Sequence, residues 1–224
     1  MSKMFPFITH TANIIGGGPC PHDCVYCWAN ALKTRYRWSK YVGDYRLLEK
    51  ELRTYPEGSF VFVQDMGDIG DPKIPKSIIR AVFSWMHRQP EVKFLLLTKN
   101  PKFYRTYREW MRPHIYAGVT IESDIVPINV SKAPHPHDRV DEMNFLRTVS
   151  PDIHRFVSIE PIMKFTPNFR DHIAEIKPDF VAVGYDNYSN ALPEPELVET
   201  EELIRDLADN GIEVYRKTIR EGNR

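Results

Sequence analysis

The chain has 224 residues, 42% of them hydrophobic, which is enough for one domain with a full apolar core, and the whole span 1–224 is read as a single domain. Lys plus Arg and Asp plus Glu number 30 each, so the balanced charge gives no global polyelectrolyte signal for nucleic acid or membrane. No apolar run approaches the roughly 18 residues of a membrane span, and the first residues, MSKMFPFITH, lack a signal-peptide core and cleavage site. A cytoplasmic, reducing location with no membrane partner is expected.

In chain order, a short extended segment around Thr11–Ile15 leads into the glycine-rich run GGGPCPHDCVYCWA. Trp28–Arg37 and Arg46–Arg53 have helical composition. Ser59–Gln64 (SFVFVQ) predicts a buried strand from its β-branched and aromatic content. Pro75 marks a helix start, with Ile78, Ile79, Val82, Trp85 and Met86 at helical spacing. Lys93–Thr98 predicts a strand, Pro101–Met111 a helix and Ile115–Ile121 a strand. A loop over 124–138 carries Pro127, Pro134, His135, Pro136 and His137, and a helix is expected from about Asp141. Arg155–Glu160 and Asp179–Gly184 predict two more strands. A helix over Glu196–Asn210 stops at Gly211, and Ile212–Lys217 predicts a last strand.

Near-continuous apolar strands between amphipathic helices indicate an α/β fold with a parallel sheet covered by helices. Six to seven such units favour a curved, partial (β/α) barrel over the alternative, an open doubly wound sheet. In either arrangement chemistry belongs at the C-terminal ends of the strands.

All three cysteines of the chain, Cys20, Cys24 and Cys27, fall in the one glycine-rich run. Thiolates are soft ligands that select zinc, copper or iron–sulfur clusters. Three of them can hold three corners of a cubane and leave one metal without a protein ligand. A structural zinc site closed by His22 and simple free thiols are the alternatives. An odd count at short spacing disfavours a disulfide framework.

The spacing CxxxCxxC, with Tyr26 before the last cysteine, resembles the signature of the radical S-adenosylmethionine superfamily. The phrases GGGPCPHDCVYCWAN, FVQDMGD, FLLLTKNP, GVTIES and FVSIEP, in this order, resemble a phage-type and prokaryotic group within it. The likeness runs from about Thr11 to Gly184. It departs at Thr11-Ala12-Asn13-Ile14, where the group often has tryptophan and proline, and again at Tyr185-Asp186-Asn187. The resemblance implies a partial barrel whose Cys20, Cys24 and Cys27 bind a 4Fe–4S cluster. It also implies S-adenosylmethionine as cofactor, cleaved reductively to a 5′-deoxyadenosyl radical, with an external electron donor as partner. Tyr26 and Trp28, on either side of Cys27, are cofactor-binding residues on this reading. Met66-Gly67-Asp68 occupies the position of the glycine-rich motif that binds the methionine ammonium, with Asp68 as its carboxylate and Asp65 beside it as the next acceptor; a solvated turn rich in Asp and Gly is the other reading. Thr120, Glu122 and Ser123 stand where the family contacts the ribose or the methionine carboxylate.

Other strand ends supply Lys99, Glu160 and Tyr185 as candidates for the catalytic positions, with a structural Lys–Glu pair at the barrel mouth as the other reading of the charged residues. With every cysteine in one motif, neither a second cysteine-ligated cluster nor a hydrogen-donating thiol remains. Lys99, Lys102, Arg105, Arg108 and Arg112 interleave with Phe103, Tyr104, Tyr107 and Trp110, which suits nucleic acid. A solvated helix face with inward aromatics is the plainer account. The function expected is a minimal radical enzyme acting first on a nucleobase or nucleic acid; the alternative is a metal-stapled binding module. The sequence leaves the substrate's identity and the oligomeric state open.

Overall fold

The computed structural model describes residues 4–125 and 129–220, so Pro127 of the proline-bearing loop lies outside the described residues. The first strand, β1 (His10–Ala12), is followed by a small antiparallel ribbon of β2 (Ile15–Gly16) and β3 (Arg46–Leu47). The remaining strands are β4 (Phe60–Val63), β5 (Lys93–Thr98), β6 (Ile115–Thr120), β7 (Arg155–Ile159), β8 (Phe180–Val183) and β9 (Glu213–Arg216). Between them lie α1 (Trp28–Tyr36), α2 (Lys76–His87), α3 (Lys102–Tyr107), α4 (Pro136–Val149), α5 (Phe169–Glu175) and α6 (Leu197–Asp209). The main sheet runs β1-β4-β5-β6-β7-β8-β9, every neighbouring pair parallel, and with the six helices makes a curled half-barrel.

Both faces of the sheet are buried, which is why its strands read as apolar runs rather than alternating ones. On the outer face Val61, Val63, Phe94, Leu96, Val157, Val181 and their neighbours pack against the helices. The amphipathic stripe predicted on α2 is seen: Ile79, Val82, Phe83 and Met86 are buried. The inner face carries Phe62, Leu95, Tyr116, Phe156 and Phe180, and among the described residues no helix packs on this cluster. The N-terminal segment fills that role. Phe5 lies edge-on to Phe156 with centroids 5.1 Å apart, and Phe7 meets Phe180 and Tyr215 at 4.8 Å each. Each buried aromatic of this plug stabilises the half-barrel by about 1.5–3 kcal/mol through removal of apolar area from water.

Four expectations differ from the fold. Arg46–Arg53 is not a helix: Leu48 donates from its backbone to Ile14 at 2.8 Å, β3 pairs with β2, and only a 3₁₀ turn forms over Glu49–Glu51. Leu47 and Leu52 then pack on the core, a tertiary gain that overrides helical composition. The helix after β5 breaks at Tyr107 into a 3₁₀ turn over Arg108–Trp110. The helix expected from Asp141 starts at Pro136, whose fixed φ suits a first helical position, with the His135 side chain accepting from the His137 N–H. Helix α5 was not expected; its Phe169 and Ile173, with Ile176 just beyond, are buried at helical spacing.

Among the described residues no helix is long and apolar enough to cross a membrane.

Candidate functional site

The cysteine loop leaves β2 through Gly17 and Gly18, with φ of +73° and +62°. A Cβ at Gly17 would overlap the carbonyl of Asp44, and one at Gly18 would overlap the Tyr45 ring. Only glycine combines that backbone with that packing. The Tyr45 hydroxyl is itself held by Asp71. The loop ends where Cys27 caps α1, its Sγ accepting from the Asn30 N–H at 3.3 Å. Cys24 Sγ lies 3.1 Å from Ser131 Oγ. All three cysteines are free and half-buried, and all line one cavity of about 1960 Å³ at the C-terminal ends of the strands. Burial pushes the Cys20 thiol up to about 12, with the charges of Asp68, Cys24 and Cys27 adding to it against a backbone hydrogen bond at His22.

Among the described residues no group of three or more His, Cys, Asp or Glu converges on a point as the ligands of a single metal ion do. His22, the fourth ligand that the zinc alternative requires, is 4% exposed with Nε2 2.9 Å from Asp68 Oδ2, close but not aligned as a hydrogen bond. Three soft donors on one loop, facing a common cavity, fit a cluster that takes its thiolates on separate corners.

β4 delivers Asp65, Met66, Gly67 and Asp68, just past its end, to the same cavity. Their surroundings differ. Asp68 is nearly buried, and its carboxylate accepts from the Thr98 hydroxyl, the Gly70 N–H at 2.7 Å and the Lys99 N–H at 2.8 Å. Burial alone would raise its pKa, but His22 and these donors hold it below the ordinary value. Asp65 accepts one side-chain hydrogen bond, from Asn13, and desolvation raises its pKa. Met66 is buried with Ala29 and Tyr41 beneath Cys27 and Trp28, while the Met66 N–H donates to Asn13 Oδ1 at 3.0 Å. Trp28 is half-buried and lines the cavity.

Glu122 is the hub of a second network. It accepts from Lys99 Nζ and the Tyr26 hydroxyl through one oxygen and from Arg139 at 2.7 Å through the other. Lys99 Nζ also lies 2.9 Å from the Tyr26 oxygen and 5.1 Å from its ring centroid. Burial opposes ionisation of Glu122, but the two cations hold its carboxyl far below the usual range. The Lys–Glu pair read as structural in the sequence is therefore formed, between Lys99 and Glu122. Tyr26, Lys99 and Thr120 line the cavity; Glu122 and Ser123 do not, and border a separate small pocket of about 40 Å³ behind it. The Ser123 hydroxyl donates to the Lys164 carbonyl.

Glu160 faces the cavity and pairs with Lys217, whose Nζ stands 4.4 Å from the Phe5 ring centroid. Desolvation still raises the Glu160 pKa above normal. Tyr185 lines the cavity, but its hydroxyl is 2.7 Å from Thr200 Oγ1 and tied to α6. The cation–aromatic stretch after β5 packs as the plainer account has it. Phe103 and Tyr104 are buried, Arg105 binds Glu142 and stacks on Phe145, and Arg112 donates to backbone carbonyls.

Sequence reasoning did not single out Arg139, Lys217 or the His22–Asp68 contact. Lys217 immediately follows β9, so the strand-end rule applied to the last strand would have found it. Arg139 sits within a helix, and no local signal marks it.

The fold and cavity together define an α/β parallel half-barrel with its polar groups gathered at the strand ends. By sequence the chain belongs to the family described as "Protein of unknown function (DUF5131)", whose family model matches residues 6–193. No curated protein matches the chain. Among solved structures, a cysteine-to-serine variant of spore photoproduct lyase is similar with a TM-score of 0.62 and 11% identity, covering 95% of this chain and 78% of that one. A tyrosine-to-phenylalanine variant of the same lyase gives 0.61 and 10%, covering 92% and 75%. At these identities the likeness is one of fold.

Proposed function

We propose that the protein is a radical S-adenosylmethionine enzyme, with Cys20, Cys24 and Cys27 as ligands of a 4Fe–4S cluster. The observation that carries this reading is the gathering of all three cysteines, unpaired, at one cavity at the strand ends of a parallel half-barrel. The fold neighbour is a radical S-adenosylmethionine enzyme, which supports the class. When bound, the cluster supplies one electron from an external donor to the sulfonium, giving methionine and a 5′-deoxyadenosyl radical.

The chain's own residues bind and orient. Asp65, with one side-chain donor, is the carboxylate left to accept from the methionine ammonium. Asp68 is engaged by protein donors and ties the end of β4 to the end of β5. Glu122 fixes Tyr26 and so one wall of the loop between Cys24 and Cys27. Glu160 and Lys217, on the opposite side of the sheet's strand order, place a paired charge near the reacting space. A cavity of about 1960 Å³ exceeds the ~300–1,000 Å³ of a usual small-molecule site, so room for a substrate remains beside the cofactor.

Anaerobic reconstitution tests this. About four iron and four sulfide per chain are expected, with loading abolished by alanine at any one of Cys20, Cys24 or Cys27. One zinc per chain without iron, or full loading in all three variants, would overturn the assignment.

A further inference from the structure

The segment from Lys33 to Lys40, at the end of α1, has no part in the networks described so far. No acidic residue occurs between Asp23 and Asp44, whereas Lys33, Arg35, Arg37 and Lys40 fall in that interval. Among the described residues, Lys33, Arg35 and Arg37 make no ion pair, and Lys40 has only Glu51, at 3.8 Å. Interleaved with these cations are two large aromatics left in solvent, Tyr36 at 53% and Trp38 at 38% exposed. Their rings stack, with centroids 5.4 Å apart and planes 14° from parallel.

The backbone explains how neighbours two apart come to stack. Arg37 ends α1 in the left-handed region, φ 48° and ψ 42°, which reverses the chain between the two rings. A non-glycine residue there is strained, and such strain clusters at ligand clamps. The segment beyond is fixed: Arg46 donates to the carbonyls of Ser39, Lys40, Val42 and Asp44. Lys33, Thr34, Arg37, Tyr41 and Val42 line the mouth of the large cavity, so the rim and the cysteine loop share one opening.

We propose that this rim is a stacking platform for single-stranded nucleic acid, placed to present one base of the strand to the cavity. Solvent-exposed aromatic rings accept any base by stacking, and the cations between them, Arg35 among them at 5.5 Å from the Tyr36 centroid, neutralise the phosphates. An acidic protein partner would use the cations but has no need of two stacked rings. Presentation of a base for reaction rests on the radical-enzyme reading above; the platform itself does not.

The test is fluorescence anisotropy with labelled single-stranded DNA and RNA oligonucleotides about 12 nucleotides long, on the full chain with iron content measured in parallel. Trp38→Leu keeps apolar bulk and removes stacking, and it should weaken binding about 5- to 150-fold. Trp38→Phe should restore most of the affinity. Arg35→Ala with Arg37→Asn, the latter compatible with the left-handed backbone, should reduce the slope of log affinity against log salt by about 1.4. Circular dichroism confirms that each variant is folded; should Trp38→Leu fail to fold, the same loss of affinity is required of Tyr36→Leu. No binding at low salt overturns the platform, as does binding that falls with the arginines but is indifferent to both rings. Iron-loaded protein without oligonucleotide binding refutes the platform and leaves the enzyme reading standing. Binding by a chain that takes up no iron does the reverse.

Discussion

Glu122→Gln isolates the network that locks the cysteine loop to the barrel. The substitution keeps shape and removes the charge facing two cations. The Glu122 side chain is 4% exposed, that of Arg139 4% and that of Lys99 14%. Removing one partner of a buried ion pair costs about 3–5 kcal/mol, because the other charge stays desolvated. Lys99 borders the cavity and can regain water there, so most of the cost falls on Arg139. For a chain of this length each kcal/mol shifts the melting temperature by roughly 2–4 °C, so a fall of roughly 6–20 °C is expected at pH 7. Thermal unfolding by circular dichroism measures it. Glu142→Gln, which removes the partner of half-exposed Arg105, is the control and should cost under about 1 kcal/mol.

The pH dependence gives the second half of that test. The folded-state pKa of Glu122 is depressed, so its contribution is complete above the ordinary value of 4.5 and is lost as pH falls below it. The wild type should therefore lose stability on acidification below about 4.5, and the variant should show a shallower loss over the same window. Equal melting temperatures for Glu122→Gln and the control, or parallel acid profiles, would refute the hub.

The two aspartates after β4 should separate by readout. Asp65→Ala is expected to weaken S-adenosylmethionine binding about 10- to 150-fold by calorimetry, the worth of one charge-assisted hydrogen bond, with little change in melting temperature. Asp68→Ala leaves two backbone N–H groups and the Thr98 hydroxyl without their acceptor, so it should lower the melting temperature whether or not cofactor is present. Phe5→Ala, in the aromatic plug, should cost about 3–5 kcal/mol by denaturant unfolding; a change below about 1 kcal/mol would mean that the half-barrel does not need its N-terminal segment.

Strand positions were legible in the sequence because burial on both faces leaves an unbroken apolar signature, as in FVFV and FLLL. Inner and outer cores were not separable from that signature, and neither was the plug. Phe5 and Phe7 lie in a segment with no strand or helix period, and only the curl of the sheet shows what they fill. The strand-end rule brought Asp65, Lys99, Thr120, Glu160 and Tyr185 to one cavity. It could not say which of them keep a free polar atom, since that depends on partners far away in sequence. Tyr185 illustrates this: its ring is at the cavity and its hydroxyl is bonded to α6. Asp68 is the same case: it lines the cavity, and its carboxylate is occupied by Thr98 and the backbone of Lys99.

The paired charges explain how so short a barrel keeps a large polar mouth without collapsing. Three buried or half-buried carboxylates (Asp68, Glu122 and Glu160) open onto or border the strand ends, and each is matched from another element: Asp68 by Thr98 and the Lys99 N–H at the end of β5, Glu122 by the Lys99 side chain and by Arg139 of α4, Glu160 by the residue after β9. Desolvated charges hold geometry only while they are matched, so these pairs tie the rim of the half-barrel across its strands where hydrogen bonds between strands have ended. Asp65 is the carboxylate of this ring that desolvation raises without a cation bound to it. A cationic ligand arriving at the mouth meets in Asp65 a desolvated carboxylate with no ion-pair partner, which is the ground on which the methionine ammonium is proposed for it.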